Sequence, residues 1–141
     1  MSEKKVGFFI VSYKIGTGDL GATTFTVHLG IDTVNEAVSG SGLITQAVNP
    51  PVHVSTNLQG QYSYMATMQD CHILVVCEGH PVIKWPKGGG IGPVIPPNVH
   101  LRMVLTEDWK SGVANYAYVN DEGKTVEIKG VPVEKITGET L

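Results

Sequence analysis

Apolar and polar residues alternate with a period of two through most of the chain. From Thr24 to Asp32 the odd positions are Phe25, Val27, Leu29 and Ile31, and the even positions are polar or glycine. From Val52 to Tyr64 the dry positions are even, with Val52, Val54, Leu58, Tyr62 and Tyr64. Val99, Leu101 and Met103 repeat the alternation on odd positions, and Val126 and Ile128 close the set. A strand turns successive side chains to opposite faces, so each stretch has one dry side and one wet side, as antiparallel sheets do. The run Ile73 to Cys77 is apolar throughout and predicts a strand covered on both faces. Helical spacing is nearly absent, and only Thr106-Glu107-Asp108-Trp109-Lys110 predicts a helical turn. The pattern predicts strands over 6–15, 22–33, 37–48, 52–66, 71–78, 98–107, 112–120 and 124–135.

The punctuation between these runs suits hairpins. Asn120-Asp121-Glu122-Gly123 offers turn formers with a glycine suited to positive φ, and Asp32-Thr33-Val34-Asn35-Glu36 is a second turn. Gly16 to Gly21 is a looser loop, and Asn49-Pro50-Pro51 ends a strand because proline removes a ladder donor. Gly40 and Gly42 inside a predicted strand imply a bulge, a sharp bend or a close backbone approach. Eight strands joined mostly by short turns make an all-β meander of antiparallel strands. The expected architecture is a flattened up-and-down barrel, with a β-sandwich as the alternative.

Composition agrees. The chain has 141 residues and 15.1 kDa, which fits a single β domain over 1–141. Val, Ile and Thr number 19, 10 and 12, and with 17 Gly and 8 Pro they describe strands and turns rather than helices. A net charge of −3 supplies no basic surface for nucleic acid, so no nucleic-acid partner is expected. Residues 1–5 read as a flexible charged tail leading into a strand rather than as a signal peptide, because Tyr13 and Lys14 interrupt the apolar run. No apolar stretch approaches the ~18 residues of a membrane-spanning helix. The expected location is cytoplasmic, with signal-less export left open. Cys71 and Cys77 lie six residues apart on one predicted strand, about 20 Å, too far for a disulfide. Reduced cysteines, at least one packed as a small hydrophobe, suit that compartment.

Three phrases carry a resemblance: Val11-Ser12-Tyr13-Lys14-Ile15-Gly16, Ile44-Thr45-Gln46-Ala47-Val48-Asn49-Pro50-Pro51, and Val131-Pro132-Val133-Glu134-Lys135-Ile136. With them the chain resembles, from about residue 6 to 136, a small family of uncharacterised bacterial domains. The resemblance implies bacterial origin and no particular chemistry. In outline the meander is also similar to avidin-type and lipocalin-like barrels, but no binding motif of either is present.

Candidate chemistry is sparse. His28, His53 and His100 share the polar side of their strands, yet in a meander those strands are second, fourth and sixth and not adjacent, so no metal site is expected. Cys77, Glu78 and His80 place a thiol, a carboxylate and an imidazole close in sequence, and a buried cysteine beside a loop histidine explains them as well. Gly40-Ser41-Gly42 is not a nucleophile elbow, and Gly88-Gly89-Gly90-Ile91-Gly92 lacks the lysine and helix of a phosphate cradle. No cofactor is expected.

The long Gly/Pro-rich segment 79–97 breaks the rhythm and carries Trp85 between Lys84 and Lys87, followed by Ile91. An aromatic anchor on an otherwise uncharged loop suits a protein contact, self-association, a membrane surface, or a lid over the barrel. Tyr62 and Tyr64, and Tyr116 and Tyr118, each place two rings on one face, an arrangement for a small ligand or for cross-strand packing. The expected function is therefore a non-catalytic binding or assembly module that contacts its ligand or partner through Trp85, Lys84, Lys87, Ile91 and the four tyrosines. One alternative is a small bacterial toxin component acting at a membrane with a partner protein. A second is an enzyme with its site in the barrel mouth.

Overall fold

A computed structural model describes residues 7–19, 21–48, 51–66, 71–81, 96–120 and 122–136. Eight strands follow in chain order: β1 Phe8–Ile15, β2 Thr24–Asp32, β3 Ala37–Gln46, β4 Val52–Ala66, β5 Cys71–Pro81, β6 Val99–Thr106, β7 Ser111–Val119 and β8 Thr125–Lys135. Each pairs antiparallel with the next, and β8 returns to β1, so the sheet is a closed barrel. The meander expected from the alternation is present, and it closes rather than splitting into a sandwich.

The parity of the sequence becomes the two faces of the wall. Tyr13, Phe25, Leu29, Leu58, Ile73, Val75, Leu101 and Met103 point inward and are buried. An eight-stranded barrel has an interior just wide enough for side chains to fill. Here large apolar groups fill it, each contributing about 1.5–3 kcal/mol when fully withdrawn from water. The even positions of β2 and the odd positions of β4 face solvent.

Glycine lets the wall bend where neighbouring strands come close. A Cβ on Gly40 would strike the carbonyl oxygen of His28 on β2, and one on Gly60 would strike that of Val76 on β5. Of the three alternatives for Gly40, a bulge, a bend or a close approach, the structure shows the close approach. Such glycines let a twisted sheet curl into a barrel.

Two sequence expectations need correction. Thr106 to Lys110 is no helical turn; it is the β6–β7 hairpin, in which Trp109 N–H donates to the Thr106 carbonyl at 2.9 Å and Trp109 itself has φ 65°. Strand pairing on both sides overrides a five-residue helical tendency that could not nucleate alone. The run Ile73 to Cys77 is not covered on both faces either. Ile73, Val75 and Cys77 point into the core, but Leu74 is half-buried and Val76 is 41% exposed on the outside.

Closure is uneven. β1 pairs with β2 along its whole length but with β8 only at Tyr13–Ile15 against Val133–Lys135. Two further backbone bonds extend this seam, Gly16 N–H to the Pro132 carbonyl at 2.9 Å and Ile136 N–H to the Ser12 carbonyl at 2.8 Å. The first half of β1 and the first two-thirds of β8 therefore each keep one edge without a strand partner among the described residues.

Candidate functional site

The connections fall at two ends of the barrel. At one end the β6–β7 hairpin folds Trp109 over the core, with its ring 5.3 Å from Phe9 and 5.0 Å from Tyr62, both edge-on. The Tyr13 hydroxyl donates to the Trp109 carbonyl at 2.7 Å, tying this cap to β1. Burial first, and the Asp108 charge second, raise the Tyr13 phenol well above its ordinary value. The turn itself is held by Asp108, which accepts from the Thr106 hydroxyl and from Lys110 N–H, and the first of these bonds keeps its carboxyl below the usual range. Asp32 does the same for the β2–β3 turn, accepting from the N–H groups of Val34 and Asn35 and from the Asn35 amide.

At the other end, Asn98 gathers the base of the long segment between β5 and β6. Its N–H donates to the Gly79 carbonyl at 2.8 Å, its carbonyl accepts from Val119 N–H at 3.0 Å, and its side-chain oxygen accepts from the buried Thr56 hydroxyl at 2.9 Å. Its amide also reaches the Ser55 carbonyl. Sequence reasoning passed over Asn98 and Thr56. The available signals were an asparagine between Pro96-Pro97 and a strand, and a threonine on the dry parity of β4.

The segment supported at that base, 82–95, lies outside the described residues, and with it Lys84, Trp85, Lys87 and Ile91. The tyrosines do not share one site. Tyr62 is buried under Trp109, while Tyr64, beyond it at the rim, is 54% exposed and meets Tyr62 edge-on at 5.9 Å. Tyr116 and Tyr118 are both buried inside the barrel, stacked 6.4 Å apart, with Phe25 4.9 Å from Tyr116. The Tyr116 hydroxyl is buried with no hydrogen-bond partner among the described residues, and desolvation raises its pKa strongly.

The remaining chemistry-bearing groups are dispersed. Cys77 points into the core, and burial pushes its thiol up to about 12, whereas Glu78 and His80 occupy the opposite parity of β5. No activated thiol is assembled there. The structure gathers no cluster of three or more His, Cys, Asp or Glu among the described residues. His28 bonds the Ser12 hydroxyl at 2.7 Å, and His100 stands 3.8 Å from Glu78, both on the outer wall. The surface depressions lie on that outer wall too. One crosses β5 to β8 past Val76, Arg102, Asn115 and Lys129, and another lies beside Gln59, Gln61 and Glu78.

What the outer wall does concentrate is apolar surface beside β1. Ile10 is 73% exposed, Phe8 is 55% exposed with its ring laid over Gly30, and Val34 in the adjoining turn is 77% exposed. The sequence showed these residues as part of an apolar run and a turn, with no sign that the barrel would leave them outside. Exposed apolar groups scattered singly are ordinary, whereas these three lie close together along β1 and the turn that follows β2.

These features define an eight-stranded antiparallel barrel with an apolar, filled interior. The chain belongs to the domain of unknown function family DUF1842, whose model matches residues 6–124. That match takes in β1 to β7 and stops before β8, so Val131 to Ile136 fall outside it, short of the span to 136 expected from the sequence. A search of curated proteins found no match.

Proposed function

We propose that this chain is a non-catalytic binding or assembly module whose contacts are made by the outside of the barrel. The observation that carries the reading is the exposed group Phe8, Ile10 and Val34 on and beside the first half of β1, which has no partner on its β8 side among the described residues. A filled interior and dispersed titratable groups support contact rather than chemistry. The segment bearing Lys84, Trp85, Lys87 and Ile91 is a second contact element in this proposal, rooted at Asn98. A photo-crosslinking side chain placed at Ile10 in the cell of origin tests it. A discrete protein adduct at Ile10, absent with the same group at Asn57, is the expected result. Equal or absent adducts at both positions contradict it.

A second reading, a small bacterial toxin component that meets a membrane with a partner protein, draws on the same apolar group, which could seat among lipid headgroups. Co-sedimentation with liposomes that is lost in Ile10→Lys would favour it. No association with neutral or anionic vesicles removes it.

A further inference from the structure

We propose that the free edge of β8 pairs with the same edge of a second copy, antiparallel about a twofold axis at Ile128. The inference rests on the assembly reading above and names its partner and one of its surfaces. The hydrogen-bonding pattern shows which groups are available. Asn120 N–H bonds the Lys124 carbonyl across the β7–β8 turn, so the even residues Val126 and Ile128 exchange bonds with β7, opposite Tyr118 and Tyr116. The N–H and C=O groups of Thr125, Glu127 and Lys129 therefore point to the opposite edge. Past the irregularity between Ala114 and Tyr116 the phase changes: Gly130 N–H turns to the Asn115 side chain at 2.6 Å, and the even residues Pro132 and Ile136 bond β1 instead. The β1–β2 loop does not cover this edge with backbone bonds among the described residues. Gln46 instead holds its Gly21 carbonyl at 3.1 Å, toward β3.

An unpaired strand edge is a template for another strand, and pairing two copies of one strand about a twofold leaves few registers. Only Thr125, Glu127 and Lys129 can supply the bonds, so they must face one another. Placing Glu127 opposite Glu127 of the second copy sets like charges together. Placing Glu127 opposite Lys129 of the second copy, with Ile128 facing Ile128, satisfies both ends at once. In that register each Glu127–Lys129 pair exchanges two backbone bonds and also sets a carboxylate against an ammonium. Glu127 and Lys129 are exposed and only 3.5 Å apart within one chain, on the outer face where a second copy can reach both. Val126 and Ile128, half-buried at the core margin, gain cover from their counterparts.

Sedimentation velocity of the full chain, from low-micromolar to near-millimolar concentration, tests this with charge reversals. Glu127→Lys and Lys129→Glu should each weaken self-association by about tenfold, since the twofold doubles every like-charge contact. The double reversal should restore it. Glu127→Pro, which removes an edge N–H without touching the bonds to β7, should abolish association while the melting temperature holds. A dimer indifferent to these β8 changes but lost in Ile10→Lys overturns the inference and leaves the assembly reading standing. A chain monomeric at every concentration overturns the inference, and the crosslink at Ile10 then decides the broader reading separately.

Discussion

Trp109 holds its ring over the core from a left-handed backbone position, φ 65°, that L side chains rarely occupy. Ring and backbone therefore act in opposite directions on stability. Trp109→Ala should destabilise by about 2–3 kcal/mol, because it loses the contacts to Phe9 and Tyr62 and keeps the strain. Trp109→Gly should recover about 1 kcal/mol of that loss by relieving the strain, and urea unfolding of the pair measures the difference. Tyr116→Phe removes a buried hydroxyl that has no partner among the described residues, so it should be neutral or slightly stabilising, whereas Tyr13→Phe should cost about 1 kcal/mol for its bond to Trp109. Cys77 sets a pH limit. Its thiol is raised from 9.0 to about 12 by burial, so its contribution is complete below pH 9 and is lost as the pH climbs toward 12. Melting temperature should fall across that window, and in Cys77→Ala the fall should begin later, near pH 10, where the raised Tyr13 and Tyr116 phenols begin to act.

At the scale of the element, the strands were legible because each has one wet face and one dry face, so a one-residue error in parity would put Phe25 or Leu101 in water. Gly40 could be read in part, as a gap in the pattern that a bulge, a bend or a close neighbour explains, and the fold shows the last of these. Gly60 shows what the pattern leaves out. It sits in a polar stretch of β4, and only the folded sheet brings the Val76 carbonyl against it. Gly60→Ala should therefore destabilise by about 2 kcal/mol or more, and a denaturant midpoint well below that of the parent protein checks it. The β6–β7 hairpin was misread because its sequence has no glycine at the left-handed position and Trp109 occupies it. The outer apolar group was not legible either. Phe8 and Ile10 read as strand residues, and they fall on the outward parity of β1, opposite Val11, Tyr13 and Ile15.

For the whole molecule, closure and exposure are two sides of one arrangement. Eight strands bring the wall round to a filled interior, yet β1 and β8 pair over three residue pairs, which leaves hydrogen-bonding edges without a strand partner among the described residues. Among the described residues, the histidines, the cysteines and the two tyrosine pairs singled out in the sequence are distributed to separate strands, faces and ends. In the proposed reading, the contacts of this barrel are made by its surface and its seam. Amide hydrogen exchange on the full chain, first dilute and then concentrated, tests that most directly. Slow exchange at Val27, Val75 and Met103 in both samples is predicted, with fast exchange at Glu127 and Lys129 when dilute and protection of those two when concentrated. Strong protection of those two β8 amides in the dilute monomer would show the seam to be sealed within one chain and would contradict the account.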